Sequence, residues 1–429
     1  MKPLYLSPRR RWSVAVMLFL ATAINYIDRQ TLSVLEPHLK TQFAMSSTDY
    51  SHIINAFLAS YTVMYAFGGR VMDWLGTRLG MALHVAWWSV AECLHAFAKT
   101  VPQLALYRFL LGIGEAGEIP GSEKVIAERF PIPERSLAIS VFLLGAMVGA
   151  TVAPPLVVLI TKIWGWRLSF VAMGSLGFIW VLVWLVFFRL PPVVQDTAPE
   201  EAIADLSNHA TAASSGSLPW LRLFTYRATW GVMMGRFFLD ATWFFYLFWL
   251  PEFLSHQKGL SLEMIGAVAW IPFLAADLGA FAGGTFATFL QKHNWSPDQS
   301  HRGLMFVGTF LLFCPLALAR TQGLAPSLGW ISLGTFALQF VGANIHTIPT
   351  QVFESTSVGS VGGLAGASGS IGAMLLTRLI GYVLDKYRSY EICLELIGLV
   401  YPIMVMVSLV VMGKVRKIDR QRGTPGMAS

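Results

Sequence analysis

Charged side chains are scarce in this chain of 429 residues, at 13% against 55% hydrophobic ones. Soluble domains carry about 25% charged residues, so this chain has too few of them to cover a water-exposed surface. A buried core could not absorb the apolar excess either, and the mean hydropathy is +0.57. The composition therefore excludes a soluble globular protein and favours one whose solvent is the lipid bilayer.

Cysteine is also rare, and the motifs of several protein classes are missing. Cys93, Cys314 and Cys393 lie inside apolar runs without metal-ligand spacing, which is typical of small hydrophobic residues. No nucleophile elbow or metal cluster indicates an enzyme, and nothing indicates a cofactor. The net charge of +7 comes without a nucleic-acid motif, so basic cytoplasmic loops of a membrane protein explain it better.

Apolar runs of about 20 residues or more, long enough to span a bilayer, are abundant. They lie near residues 12–36, 50–73, 80–98, 102–127, 136–161, 168–190, 228–254, 261–290, 302–320, 326–351, 359–384 and 390–413. Residues 191–227 interrupt the series with a polar stretch typical of a linker. We therefore predict an all-α integral membrane protein with twelve transmembrane helices in two six-helix bundles, residues 1–190 and 228–429, the second ending in a short cytoplasmic tail.

Basic residues predict how the chain crosses the membrane. Arg9–Arg11, Arg78, Arg135, Arg302 and Lys414 all fall on one side of the predicted spans, and the opposite loops carry fewer basic residues. The positive-inside rule then places both termini and the linker in the cytoplasm. We predict that the protein lies in the inner (plasma) membrane. Two six-helix halves joined by a cytoplasmic linker resemble the major facilitator layout, in which substrate binds at the midplane between two rocking halves.

A loop motif strengthens this resemblance. The segment Gly69-Arg-Val-Met-Asp73-Trp-Leu-Gly76-Thr-Arg78 resembles G-x-x-x-D-[RK]-x-G-[RK]-[RK], the loop 2–3 motif of the major facilitator superfamily. The glycines allow close backbone approach, and Asp73 can accept from a helix N-terminus and act as a gating latch. Positions 74 and 77 lack the basic residues usual in the family, so we expect a weakened latch.

The first span contains N-Y-I-D-R, which places Asp28 and Arg29 in the middle of an apolar helix. Ionised groups at membrane depth face a cavity and have partners. Adjacent residues on a helix point about 100° apart, so each of the two needs a partner on another helix. The alternative interpretation is a charged pair that anchors the helix at the membrane interface.

The fourth span places Arg108 and Glu115 two turns apart on one helix face, with Glu118 three residues further on. A guanidinium in a dry cavity is suited to bidentate binding of a carboxylate. A desolvated carboxyl group can take up and release a proton near neutral pH. These side chains are the components of a proton-coupled anion carrier. A purely structural ion pair between the first and fourth spans is the alternative.

The second half of the chain also carries polar groups at membrane depth. Arg236 and Asp240 are spaced for an ion pair within one helix. Trp243 and Tyr246 could stack on a sugar face, although an aromatic stripe is more often lipid-facing or part of a core. Further candidates for substrate binding are Gln339, Asn344 and Ser368.

The stretches N-Y-I-D-R, R-F-L-L-G-I-G-E-A-G and R-F-F-L-D-x-x-W-F-F-Y-L-F-W-L-P resemble the anion:cation symporter branch of the major facilitator superfamily, and within it the hexuronate transporters. The resemblance implies that Asp28 and Glu115 are protonation sites. It implies that Arg29 and Arg108 bind the substrate carboxylate. Two tyrosines of the first and second spans, Tyr26 and Tyr61, are implied to line the site.

Glu118 departs from the family pattern, because hexuronate carriers usually have Asn there, and an additional acid could select a different hydroxyl pattern or bind a second proton. We predict a monomeric proton-coupled symporter that imports a hexuronate or related sugar acid anion, without metal, cofactor or nucleic acid. The alternative is a carrier of another organic anion, such as an aldonate, aromatic carboxylate or phosphate ester, by symport or exchange. A membrane enzyme or a transporter-like sensor is the rival from another class.

Overall fold

The structure is a computed structural model that describes residues 8–188, 220–353 and 355–415. All regular structure within these residues is helical, as the sequence predicts, with one 3-10 turn at His95–Phe97 between α2 and α3. In chain order the α-helices are α1 (Pro8–Phe43), α2 (Ser47–Leu94), α3 (Val101–Glu115), α4 (Glu118–Arg129), α5 (Ile132–Trp164), α6 (Trp166–Phe187), α7 (Trp220–Leu223), α8 (Arg227–His256), α9 (Leu262–Val268), α10 (Trp270–Lys292), α11 (Pro297–Leu311), α12 (Cys314–Ala319), α13 (Leu324–Val352), α14 (Ser355–Tyr387) and α15 (Tyr390–Met412).

The predicted apolar runs correspond closely to these helices. α2 contains the second run and most of the third, which ends beyond α2 at the 3-10 turn. Three other runs are each divided between two successive helices: α3 and α4, α9 and α10, and α11 and α12. The short helix α7 falls in the segment predicted to be the linker, and residues 191–219 of that segment lie outside the described residues.

Gly76 makes the turn between the two spans of α2. Its backbone has φ 74° and ψ 159°, a region that side-chain-bearing residues avoid. The turn is attached to the end of α6, because the Trp184 indole N–H donates to the Arg78 carbonyl at 3.0 Å. The Arg78 guanidinium in turn donates to the Leu185 carbonyl at 2.8 Å. Arg78 of the predicted gating motif thus stabilises this turn. Gly69 and Asp73 lie on α2, and the side chain of Asp73 lies outside the described part of the chain.

The chain forms two compact units. Their described residues are 8–188, 245–274 and 376–389 in the first, and 220–244, 275–353, 355–375 and 390–415 in the second. In the first unit α2 packs on α3 and α6, and α1 packs on α5. In the second, α11 packs on α13 and α12 packs on α15. The first unit draws on both predicted bundles, whereas the described residues of the second all follow residue 219, so the division at residues 190 and 228 stays a prediction.

The burial pattern is the inverse of that in a soluble protein. Large apolar side chains such as Leu182, Phe281 and Val410 are 67%, 74% and 69% exposed, whereas Arg29 and Glu115 are 4% and 1% exposed. Seven helices of the described chain are long and apolar enough to cross a bilayer. Such surfaces are stable only in lipid, and the molecule is a multi-pass membrane protein.

Candidate functional site

Arg29 and Glu115 form a buried ion pair in the first unit. The Arg29 Nε and Nη2 atoms both donate to Glu115 Oε2, at 3.0 and 2.8 Å. Arg29 Nη2 also donates to Asn25 Oδ1 at 3.0 Å, one turn earlier on α1. These charge-assisted bonds are stronger than neutral ones. The partner that the sequence required for Arg29 therefore comes from the end of α3.

Asp28 and Arg108 are equally buried but are held differently. The Arg108 guanidinium donates to two main-chain carbonyls of α1, those of Asp28 (3.4 Å from Nη1) and Arg29. Neither carboxylate oxygen of Asp28 accepts a hydrogen bond within the described residues. The Arg108 charge and the Trp88 indole lie beside that carboxylate. Arg108 thus binds the turn of α1 that carries both charged residues, while its positive charge stays close to the acids.

Aromatic rings surround the Arg29 guanidinium. Its Cζ atom lies 4.8 Å from the ring centroid of Tyr26, 4.9 Å from that of Tyr61 and 5.2 Å from that of Phe57. The Phe57 ring also lies 5.5 Å from the Cζ of Arg108. Both tyrosines singled out in the sequence therefore contact Arg29. Phe57, one turn before Tyr61 on α2, was missed because one aromatic residue in an apolar run carries no distinguishing pattern.

A glycine allows α2 and α3 to approach closely beside this site. A Cβ atom at Gly112 would lie 2.6 Å from the Phe57 carbonyl oxygen and would overlap the Ser60 hydroxyl. Real Cβ atoms do not come so close, so only glycine fits here without moving α2. The contact between these helices places Phe57 and Tyr61 against the guanidinium of Arg29.

Glu118, the additional acid of the fourth span, has its own hydrogen-bond partners. Its Oε1 accepts from the Thr22 hydroxyl at 2.7 Å and from the Ser122 hydroxyl at 2.9 Å. The residue is 1% exposed. The bond from Thr22 joins α4 to α1, whereas the bond from Ser122 lies within α4, so Glu118 contributes to helix packing whatever else it does.

Three further buried acids were not singled out from the sequence. Glu92 lies in the second half of α2, Glu36 lies on α1 and Glu252 lies on α8, and none of them is more than 1% exposed. Each stands inside or beside a predicted apolar run, and an ionisable residue there is a functional candidate by default. That rule, applied to every acid rather than to recognised motifs, would have identified all three.

Glu36, Glu252 and His256 bring one possible metal-ligand atom each to within 4.8 Å of one another. The Lys40 ammonium group donates to Glu252 Oε1 and lies 3.8 Å from Glu36 Oε1. The group of side chains thus already contains a cation. This charge balance gives no support to a metal ion there.

The second unit contains the predicted Arg236–Asp240 pair. Arg236 Nε donates to both Asp240 oxygens, at 3.0 and 2.8 Å. The carboxylate lies against Gly369 of α14, where a Cβ atom would be 2.7 Å from Asp240 Cγ. Gly369, one of the many small residues of α14, is therefore needed for packing against Asp240.

Two substrate-binding candidates of the second unit make internal hydrogen bonds. The Asn344 amide donates to the Phe340 carbonyl at 2.9 Å, and its oxygen lies 2.9 Å from His301 Nδ1. The Ser368 hydroxyl donates to the Met233 carbonyl at 3.0 Å. Both side chains thus connect neighbouring helices, and their role in binding stays a prediction.

The remaining candidates differ in burial. Trp243 and Gln339, in the second unit, are half-buried. Tyr246 is 2% exposed and belongs to the first unit. A sugar-stacking role for Trp243 and Tyr246 also stays a prediction.

Comparisons with known proteins agree with this architecture. The model of the Major Facilitator Superfamily matches residues 18–418. The hexuronate transporter of Escherichia coli (strain K12) is 30% identical over 381 residues, 87% of this chain and 88% of that protein. The galacturonate transporter of Dickeya chrysanthemi is 32% identical over 286 residues, 66% of this chain and 83% of that protein.

Among solved structures, a bacterial homolog to the human lysosomal transporter Spinster is similar, with a TM-score of 0.77 and 18% identity. The similarity covers 95% of this chain and 97% of that one. At that identity it supports the fold alone.

Proposed function

The chain belongs to the Major Facilitator Superfamily, whose members are membrane transporters, and from this premise we propose that it is a proton-coupled symporter. Its cargo is a hexuronate or related sugar acid anion, imported by alternating access. Two similar proteins are named as hexuronate and galacturonate transporters, which supports this class of cargo. The chain is not an enzyme.

The observation that carries the proposal is the buried contact of Arg29 with Glu115, bounded by Tyr26 and Tyr61. A guanidinium group presents its N–H donors in a planar fork that matches a carboxylate. In the structure, Glu115 occupies two of these donors. A substrate carboxylate would compete for the same two N–H groups.

This competition supplies a coupling mechanism. A proton on Glu115 removes its negative charge and frees Arg29 to bind the carboxylate of the cargo, with Arg108 as the second guanidinium. Bound cargo in turn keeps Arg29 away from Glu115, which then holds its proton more tightly. Each ligand therefore favours the other, which is the thermodynamic condition for coupling. Asp28, beside Arg108, is the second proton-binding group of the proposal.

Glu118 favours one alternative cargo. It stands where hexuronate carriers usually have Asn, and it makes two hydrogen bonds within the protein. A neutral amide able to bind a sugar hydroxyl is thus replaced by an acid committed to packing. An aldonate, or another organic anion with fewer ring hydroxyls, is the second candidate, carried by symport or exchange.

Uptake into proteoliposomes tests the function. With the outside more acidic, the purified chain should concentrate D-galacturonate, and Glu115→Gln should abolish that concentration. Arg108→Ala should weaken binding by about 30-fold or more, because losing one partner of a desolvated charge contact costs about 2–5 kcal/mol.

Glu134→Gln, at a partly exposed ion pair with Arg11, is the matched control and should transport normally. Symport would be refuted if no sugar acid were concentrated by a pH gradient, or if Glu115→Gln retained proton-driven uptake. Concentration of an aldonate but no uronate would select the second candidate.

We also propose that the protein acts as a monomer in the inner membrane with both termini in the cytoplasm. The excess of Lys and Arg on one side of the spans supports this orientation. A reporter enzyme that works only in the cytoplasm, fused to the C-terminus, should be active. An inactive fusion, paired with an active periplasmic reporter at the same position, would reverse the topology.

A further inference from the structure

The fourth predicted span is interrupted between its two acids. α3 ends at Glu115 and α4 begins at Glu118, with two residues between them that belong to neither helix. Pro120 explains the interruption, because proline has no N–H to donate to the Ala116 carbonyl four residues earlier and its ring crowds that carbonyl. The hydrogen-bond ladder of one continuous helix therefore does not fix the position of Glu115.

His84 of α2 lies against this interruption. Its Nδ1 atom lies 3.0 Å from the carbonyl oxygen of Gly114, the residue that precedes Glu115. Because a carbonyl oxygen only accepts, Nδ1 carries the hydrogen and donates it. His84 is 6% exposed, so the bond is made where little water competes for the carbonyl. The imidazole thus holds the last turn of α3 against α2.

Gly117 makes room for the imidazole ring beside the interruption. A Cβ atom at this position would lie 2.2 Å from Cε1, 2.3 Å from Nδ1 and 2.4 Å from Nε2 of His84. A side chain at residue 117 would therefore displace the ring, and with it the donor to the Gly114 carbonyl. The ring fills the space beside the turn and, at the same time, donates to the residue that precedes Glu115.

The position of the Glu115 carboxylate decides how strongly it competes with the cargo. The other charged groups that face it come from four helices: Asp28 on α1, Glu92 on α2, Arg108 on α3 and Glu118 on α4. Its Oε2 accepts from Arg29 Nε and Nη2, at 3.0 and 2.8 Å, and a substrate carboxylate needs the same two N–H groups. Two donors on one oxygen tolerate little displacement, because a hydrogen bond weakens steeply as its angle closes. The end of α3 must therefore be held in place for this competition.

We propose that His84 is a positioning residue for coupling, which holds the end of α3 so that Glu115 can compete with the cargo carboxylate for Arg29. The inference rests on the proposed symport. In this role His84 needs neither to touch the cargo nor to bind a transported proton, since it acts through the Gly114 carbonyl. Without its hydrogen bond, Arg29 becomes available to the cargo before Glu115 is protonated. The protein then loses coupling rather than binding.

The pH dependence of KM tests this role, in proteoliposomes of the full chain with D-galacturonate as the probe. Since proton and anion favour each other's binding in the proposed symport, the wild-type KM should rise about tenfold or more from about pH 6 to about pH 8. In His84→Leu, the cargo can bind Arg29 at either pH, so KM should change by less than about threefold. A side chain that only stabilised the fold would change the amount of active protein but not this ratio.

Two amide variants at the same position separate the hydrogen bond from the ring. In His84→Asn the amide nitrogen is as many bonds from the main chain as His Nδ1, so it can donate to the same carbonyl. This variant should keep the wild-type pH dependence of KM. In His84→Gln the amide nitrogen lies one bond further out, and the variant should behave as His84→Leu does.

Trp87→Phe is the matched control. The Trp87 indole N–H also joins α2 to α3, by donating to the Leu110 carbonyl at 2.9 Å. Leu110 lies in the uninterrupted part of α3, where the helix itself fixes the backbone. Trp87→Phe removes this bond and keeps an aromatic ring, so it should keep the wild-type pH dependence of KM.

A wild-type pH dependence retained by His84→Leu would overturn the proposal. Its loss in His84→Asn would contradict the hydrogen bond, and its loss in Trp87→Phe would show that any loosening of α2 from α3 has the same effect. Should His84→Leu fail to fold, Gly117→Ala displaces the ring and must flatten the pH dependence for the proposal to stand. Absence of any pH-driven uptake in the wild type would instead refute the proposed symport itself.

Discussion

The Arg29–Glu115 pair predicts a specific pattern of stability changes. The two side chains are 5% and 0% exposed, so a charge left without its partner has no water to solvate it. In Glu115→Leu, Arg29 keeps its hydrogen bond to the Asn25 amide oxygen but loses the anion. Breaking a buried pair from one side costs about 3–5 kcal/mol. We expect the free energy of unfolding of Glu115→Leu to fall by that amount.

The double variant Arg29→Met/Glu115→Leu should recover most of this loss. Apolar side chains of similar volume replace the pair without leaving a buried charge. Denaturant unfolding in mixed micelles measures both changes, provided that the variants are compared at a common m-value, the slope of the unfolding free energy against denaturant concentration. Uptake of D-galacturonate should remain abolished in the double variant, which separates stability from transport.

The control is a second Arg–Glu pair whose arginine also lies on α1. Arg11 and Glu134 join α1 to α5, but their side chains are 13% and 31% exposed. Glu134→Leu should change the free energy of unfolding by less than about 1 kcal/mol. A Glu115→Leu protein as stable as this control, or a double variant less stable than Glu115→Leu, would refute the argument from buried charge.

Three further predictions concern single positions, and the same unfolding measurement tests each of them. Asp385 accepts from the first two backbone N–H groups of α2, at 2.7 and 2.8 Å, so Asp385→Ala should cost about 1 kcal/mol as a lost helix cap; an unchanged stability would contradict this. Gly369→Ala would push against Asp240 and should cost about 1–3 kcal/mol, whereas Gly362→Ala, with open space around it, should be near neutral; equal effects would contradict the packing argument. Gly76→Ala meets no atom within 4 Å, so any loss, expected at about 1–3 kcal/mol, reports the strain of its φ of 74°.

Much of the fold could be predicted from the sequence, because the bilayer imposes one length on every spanning run. The predicted run at 326–351 became α13 (Leu324–Val352), and that at 390–413 became α15 (Tyr390–Met412). Helix ends that extend beyond an apolar run could not be predicted from the length of that run. α1 continues to Phe43, beyond the predicted end at residue 36, because a helix can continue past the apolar run into polar sequence.

The candidate site was predictable only where its charges share a helix or a recognised motif. Arg108 and Glu115 are seven residues apart, so helical periodicity alone placed them on one face. The bond from Arg29 to Glu115 joins residues 86 positions apart, and the sequence could require a partner without identifying it. Glu92 has His95 three residues on in its own apolar run, but the other acids and the arginine that face it come from α1 and α3.

The number of buried charges supports proton coupling more strongly than any single contact does. A buried ion pair alone is weak evidence for function, since apolar residues of the same volume would stabilise the fold equally well or better. An excess of acids is different. Within the described residues, Asp28, Glu92 and Glu115 face the two guanidinium groups of Arg29 and Arg108, and no rearrangement of hydrogen bonds among these five residues removes the surplus negative charge. In a low-dielectric interior that surplus must be neutralised by protons, and each anion that enters increases the requirement by one.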